Sequence, residues 1–333
     1  MAFQFLKKSI QNALRNNFPP CSVFCRDPLV LVSFDVDFTR AREWFLDVFR
    51  KSRSGSIHVF LQLGYERETP KNSVPFADDV KSILAACPRL KVTVLANTMK
   101  EVEALSSLGL HTVLCHQNAF LDESRYPLLH VPKRYDAIYI ARFTQCKRHQ
   151  LASDIRSIRL IGGCAYRKEQ PYMDEILGNK LAHAEWTPHV SPSRIPAEIA
   201  SASCGLCLSD VEGAMYVSAE YLLCGIPVVN TPNIGGRDEL FPDFAVKTVP
   251  PDPAAVAEAV AEFVRNPPSP EKIRAAVLEK MEPHRQTFRK LLNDAMAPAC
   301  FPDSRRLPHK LLIRCTKRPL ELLRYGIWHP RPN

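Results

Sequence analysis

Short apolar runs alternate with helical patterns along most of the chain. LVLVSF (29–34), IHVFLQL (57–63), KVTVLA (91–96) and HTVLC (111–115) are rich in leucine and β-branched residues and predict strands. Helical periodicity falls between them, at 40–51, 76–87 and 99–108. A second series opens with AIYIAR (137–142) and continues with IRLIG (158–162), CGLCLS (204–209), IPVVN (226–230) and AVKTV (245–249). Helices are expected there at about 195–202, 214–224, 253–265 and 270–293. Strands that alternate with helices in this way predict parallel sheets with helices on their faces. The polar, proline-bearing segment DESRYPLLHVPKRYD (122–136) separates the two series as a linker.

A length of 333 residues suits two ordinary domains. Hydrophobic residues make up 46% and charged residues 24%, and no uncharged apolar run approaches the roughly 20 residues a membrane-spanning helix needs. Transmembrane, disordered, collagen-like and coiled-coil classes are thereby excluded. The start, MAFQFLKKSIQNALRNNF, places its basic pair after apolar residues and is not expected to be a secretory signal, so cytoplasmic residence is expected. Eleven cysteines at irregular spacing predict free thiols, and Cys204 with Cys207 reads as part of a buried strand rather than a zinc or redox pair.

The formal charge of +9 changes meaning once it is located. Residues 304–333 hold eight basic residues against Glu321, and residues 1–18 hold Lys7, Lys8 and Arg15 with no acid, so the body between is close to neutral. A nucleic-acid partner is not expected, because no basic face is spread over the body. Both ends also carry apolar residues at helical spacing, among them Phe3, Leu6, Ile10 and Leu14, then Leu307, Leu311, Leu320 and Leu323. Amphipathic basic segments of this kind suit an anionic membrane surface, peripheral on its inner face. The other reading is helices packed on the body with a solvated basic side.

The densest chemical signal is SDVEGAMYVSAEYLLCGIPVVNTPNIGGRDELF (209–241). A strand ends at Ser209, a loop carries Glu212 and Gly213, a helix starts near Ala214, and Gly225 with Pro227 closes that helix. Glu212 in the loop and Glu220 about two turns into the helix can serve one elongated ligand, and the helix start suits phosphate oxygens. The segment resembles the E-x7-E signature of the group 1 (family four) retaining nucleotide-sugar glycosyltransferases, in register from EGAMYVSAEYLLCGIPVVNT through Gly235, Gly236, Arg237, Asp238 and Glu239. AIYIARFTQCK is similar to the family's strand, arginine and lysine, which puts Arg142 and Lys147 in that role. Asn118 in HQNAFLD and LIGG (160–163) resemble two further family segments.

The resemblance implies an α/β chain of two Rossmann-like domains facing across a cleft, the GT-B fold, with a short first domain. The expected division is a basic N-terminal segment 1–18, an acceptor-side domain 19–132, a nucleotide-sugar domain 133–296 and a basic tail 297–333. It implies Arg142, Lys147 and Glu212 as catalytic, and Gly162, Gly213, Ala214, Met215 and Glu220 around the donor. Sugar transfer from a nucleotide-diphosphate donor to a glycan or glycolipid, with retention, would then need no cofactor and no metal, because protein cations face the departing diphosphate. The departures are a short Lys147–Ile158 connection and no secure counterpart of the family's cleft histidine, for which His58 and His116 are candidates. Two other readings compete. One is a non-catalytic scaffold. The other is a haloacid-dehalogenase-type phosphatase using Asp35 and Asp37 in LVLVSFDVDFT, where a strand-end pair capping the next helix is the plainer expectation.

Overall fold

A computed structural model describes residues 21–298 and 307–311, and the chain forms two compact α/β units. The basic segment 1–18 and most of the 297–333 tail lie outside the described residues. No helix among the described residues is long and apolar enough to cross a membrane.

The first unit holds one sheet in the order β1 (Cys21–Arg26), β2 (Leu29–Phe34), β3 (Ile57–Gln62), β4 (Leu90–Ala96), β5 (Thr112–Leu114). Strands β2 to β5 are parallel, and β1 runs antiparallel along the edge of β2. The sequence pattern missed β1, whose CSVFCR carries only two adjacent bulky apolar residues, because an edge strand needs no continuous apolar run. Helices α1 (Asp35–Arg40), α2 (Arg42–Lys51), α3 (Pro70–Ala86) and α4 (Met99–Ser107) follow or link the strands. The helix expected at 40–51 is α2, and α1, which starts directly at the end of β2, was not expected.

Parallel strands in sequential order, joined by right-handed crossovers, put all their helices on one face. The burial pattern agrees. Leu31, Val59, Leu61 and Val94 pack with Phe38, Phe45, Phe49, Phe76, Val80, Ile83 and Leu105 of α1 to α4. The alternate residues Val30, Val32, Phe60 and Leu95 face the other way and are covered by Phe288, Leu292, Ala295 and Met296. These come from the far end of the chain, the later part of the helix Pro270–Met296. The units accordingly divide at Phe120/Leu121 and again at Glu282/Pro283, so residues 283–296, expected in the second domain, belong to the first.

The second unit holds β6 (Tyr135–Ile140), β7 (Ile158–Ile161), β8 (Glu185–Thr187), β9 (Ala202–Cys207), β10 (Val228–Asn230) and β11 (Val246–Thr248). All pairings are parallel, in the order β11-β10-β9-β6-β7-β8. Counted along the chain, this is the doubly wound order 3-2-1-4-5-6, whose direction reverses between β6 and β9. Helices α5 (Gln170–Glu175), α6 (Ile195–Ala200), α7 (Tyr216–Leu223), α8 (Pro253–Arg265) and α9 (Pro270–Met296) complete the elements the argument uses. The short β6–β7 connection carries two 3₁₀ turns, Gln145–Lys147 and His149–Ala152, and no α-helix. Cys204 and Cys207 are free thiols wholly buried in β9.

Candidate functional site

In an open parallel sheet, ligands bind beyond the carboxyl ends of the strands where the strand order reverses. In the second unit that point lies between the loops that leave β6 and β9. The β6 loop is drawn back over the sheet, because the buried Tyr139 hydroxyl donates to the Lys147 carbonyl at 2.7 Å. The β9 loop is stitched to its neighbours by Asp210 N donating to Cys146 O at 3.2 Å, Glu212 N to Ile234 O at 2.9 Å and Gly236 N to Gly213 O at 2.8 Å. Gly235, at φ 103°, allows the return that makes the last contact. Across this junction the Lys147 ammonium pairs with Glu212 Oε1, both side chains mostly buried.

Burial pulls the Lys147 ammonium down to about 8, and the neighbouring Arg142 and Arg237 pull the same way. The Glu212 carboxylate is the counter-charge that favours the protonated form. His149 lies wholly inside, stacked on Phe143 at 4.3 Å, and burial together with Lys147 holds its ring down to about 3, so it is neutral. It packs the β6 loop and adds no charge.

The other expected donor residues lie along the same rim. Arg142 is exposed on the β6 loop, close enough to act on Lys147. Gly162, at φ 149°, ends β7, and a Cβ there would run into the Ala141 carbonyl oxygen. This glycine lets the Arg142 segment lie against β7, with Trp186 Nε1 donating to the Gly162 carbonyl at 2.9 Å. Gly213, Ala214 and Met215 lead into α7, whose cap residue is Met215. Glu220 is half-buried on an otherwise largely buried helix and accepts from the Tyr126 hydroxyl at 2.9 Å. Lys147 and Glu212 are thus brought into contact, whereas Glu220 is engaged separately, by Tyr126.

Three residues of this region escaped sequence reading. Tyr126 lies in the segment taken as a linker. The sequence reading gives no role to Arg148 and names Arg237 only in the motif register, yet Arg237 is 1% exposed and Arg148 reaches three acceptors. An arginine directly after a glycine pair in an apolar stretch, as in GGRDEL, was the available signal for Arg237.

The first unit corrects two expectations. His58 is the second residue of β3, near the amino end of the strand and away from the carboxyl ends that hold ligands, so it does not belong to the site. His116 follows β5 at the carboxyl end and is fully buried, its Nδ1 accepting from Asn118 N at 3.1 Å, with His284 6.1 Å away ring to ring. Asp35 and Asp37 do not cap α1, whose cap residue is Phe34. Asp35 is instead buried against Arg67 at 2.5 Å and accepts from the amides of Val36 at 2.7 Å and Gly64 at 2.8 Å. Both its oxygens are occupied by structural partners, unlike those of an attacking nucleophile. Among the described residues no group of three or more His, Cys, Asp or Glu side chains is placed to share a metal ion.

Residues 122–279 match the family model described as Glycosyl transferases group 1. No curated protein matches the chain. Among solved structures it is similar to HepE (Alr3699) of Anabaena in complex with UDP, with a TM-score of 0.57 at 15% identity, covering 86% of this chain and 81% of that one. It is also similar to a glycosyltransferase from Rickettsia africae (TM-score 0.57, 13% identity, 89% and 82% covered). Sucrose-phosphate synthase of Thermosynechococcus elongatus is a third likeness (TM-score 0.52, 15% identity, 77% and 77% covered). At such identities these are likenesses of fold, two Rossmann-like units of the GT-B class. Over residues 122–279, just under half of its length, the chain is similar to the group 1 glycosyltransferases.

Proposed function

We propose that this glycosyltransferase moves a sugar from a nucleotide-diphosphate donor to a glycan or glycolipid acceptor, with retention of anomeric configuration. The observation that carries the reading is the Lys147–Glu212 pair at the strand-order reversal of a doubly wound sheet. A diphosphate leaving group gains negative charge as its bond to the anomeric carbon breaks, so fixed cations aimed at it lower the barrier. Lys147 and Arg142 take that role, and no metal is needed beside them. Glu212, released from Lys147 by the incoming phosphate, accepts from sugar hydroxyls. Glu220 accepts from ribose hydroxyls, as it does from Tyr126 in this structure. Gly213, Ala214 and Met215 offer main chain to the phosphate or sugar, with His116 on the acceptor side.

HepE and its complex with UDP-glucose support a nucleotide-sugar donor by likeness of fold. The base and the sugar are left to experiment. The enzyme works at the cytoplasmic face of a membrane, in the assembly of a cell-surface polysaccharide or lipopolysaccharide, a reading supported by the basic ends. Deleting residues 304–333 then lowers binding to anionic vesicles at low salt, and unchanged binding removes the membrane from the proposal.

The deciding experiment measures thermal stability of the wild type and of Arg142→Ala/Lys147→Ala against UDP, GDP, ADP, dTDP and CDP. One diphosphate at a hundred times its dissociation constant should stabilise the wild type by about 2.7 kcal/mol and leave the double variant unmoved. Stabilisation by none of the five would defeat the reading.

A further inference from the structure

Parallel strands end in main-chain carbonyls, and a ligand bound there faces a rim of oxygen atoms. For a diphosphate that rim is repulsive. At the ends of β9 and β10 two arginines take it up. Arg148 donates through Nε to Leu208 O at 2.6 Å and through Nη2 to Thr231 Oγ1 at 2.7 Å and Pro232 O at 3.3 Å. Arg237 donates through Nη1 to Ser209 O at 2.7 Å and Ser209 Oγ at 3.2 Å, and through Nη2 to Thr231 O at 2.6 Å. Its Nε meets Asp238 Oδ1 at 2.7 Å. Four carbonyls on two neighbouring strand ends are therefore held by two guanidinium groups.

Arg148 is the more telling of the two. It follows Lys147 directly and sits in the left-handed region at φ 49°, ψ 45°. A side chain is strained there in a way glycine is not. Local backbone preference therefore does not select arginine, and its guanidinium contacts are what distinguish it at this position. Those contacts tie the loop carrying Arg142 and Lys147 to both strand ends across the reversal point.

We propose that Arg148, backed by Arg237, is a positioning residue for diphosphate binding, fixing the Lys147 loop and replacing a carbonyl-lined floor with a cationic one. This rests on the donor reading above. Its test compares wild type, Arg148→Gly and Arg148→Lys by calorimetric titration with the diphosphate that the five-member panel selects. The matching nucleoside, which has no phosphate, is measured alongside by competition.

The glycine variant relieves the left-handed strain but loses the three guanidinium contacts, so its thermal midpoint should fall modestly. Its affinity for the diphosphate should fall about tenfold, the worth of one charge-assisted contact. Nucleoside affinity should stay within about twofold, and Arg148→Lys should recover most of the loss. Wild-type binding with an unchanged glycine variant overturns this inference alone. Equal losses for nucleoside and diphosphate overturn it too, since they mark a general loosening of the loop. Failure of the wild type to bind any of the five defeats the donor reading and this inference with it.

Discussion

The two sheets of this protein are both parallel in their interior, yet the candidate donor site lies on only one. In the second unit the strand order reverses between β6 and β9, so the loops leaving those strands diverge and their charged ends, Lys147 and Glu212, meet over the gap. In the first unit the order runs straight from β1 to β5 and no reversal arises. Its strand-end charges turn inward instead. Asp35 and Arg67 pair beneath the β3–α3 loop, Glu101 accepts from the amides of Asn97 and Arg67, and Glu66 accepts from Glu68 and Thr69. The same residue types thus line the candidate site in one unit and brace a loop in the other. Topology decides which, since a reversal leaves strand-end groups without neighbours and sequential crossovers supply them.

Exchanging the lesion between the units gives the sharpest contrast. Lys147→Ala should cut turnover about a hundredfold to a thousandfold, by removing a cation from the leaving group, and should cost less stability than Arg67→Ala because Glu212 keeps some contact with solvent. Arg67→Ala should do the reverse. It strands the buried Asp35 carboxylate and should cost about 3–5 kcal/mol of stability, while diphosphate affinity, read by calorimetry, stays intact. Loss of both properties in both variants would break the comparison.

The face of the first sheet covered by the end of α9 offers the next test. Phe288 fills it against Phe60 at 5.6 Å and Phe120 at 5.3 Å between ring centroids. Phe288→Ala should destabilise the first unit by about 3–5 kcal/mol. Hydrogen exchange should then show β2 to β4 opening more readily, with β6 and β9 protected as before. Uniform loss of protection would mean the units do not fold as separate structures.

The smallest effect is a pH dependence. Burial holds Glu101 up to about 7, above the 4.5 of an ordinary glutamate. Between those values the unfolded chain binds fewer protons than the folded one, so stability of the first unit falls as pH rises from about 4.5 to about 7. The expected loss is up to about 3 kcal/mol. Urea unfolding at pH 5 and pH 8 reads it, and Glu101→Gln should flatten the difference. A flat wild-type profile would show that the amide donors around Glu101 outweigh its burial.

Much of the architecture was legible along the chain. Strands β2, β3, β4, β6, β7, β9 and β10 fall on the apolar runs, and α7, α8 and α9 fall on the helical patterns within a few residues. The edge strands β5 and β11 were read as well, whereas β1 and β8 were not, because CSVFCR and EWT carry no continuous apolar run. Lys147, Glu212 and Glu220 stood out through spacing and resemblance, whereas Tyr126, Arg148 and Arg237 did not, since the partners Glu220, Leu208 and Ser209 lie 28 to 94 residues away. His58 misled because a histidine in an apolar strand carries no mark of which end of the sheet it will occupy.

What the sequence determined by itself was local. Apolar periodicity set the elements, Gly225 and Gly235 set where the chain turns, and the acidic and basic residues of the two loops set the chemistry on offer. Tertiary structure decided which of those charges meet and which are absorbed. It did so through strand order, which brings Lys147 to Glu212 across 65 residues of chain, and through the return of Phe288 and Leu292 to a sheet laid down some 250 residues earlier. Neither step has a local signature. Each is settled by the free energy of burying apolar faces and pairing buried charges, which depends on what surrounds a residue in space and not on its neighbours in sequence.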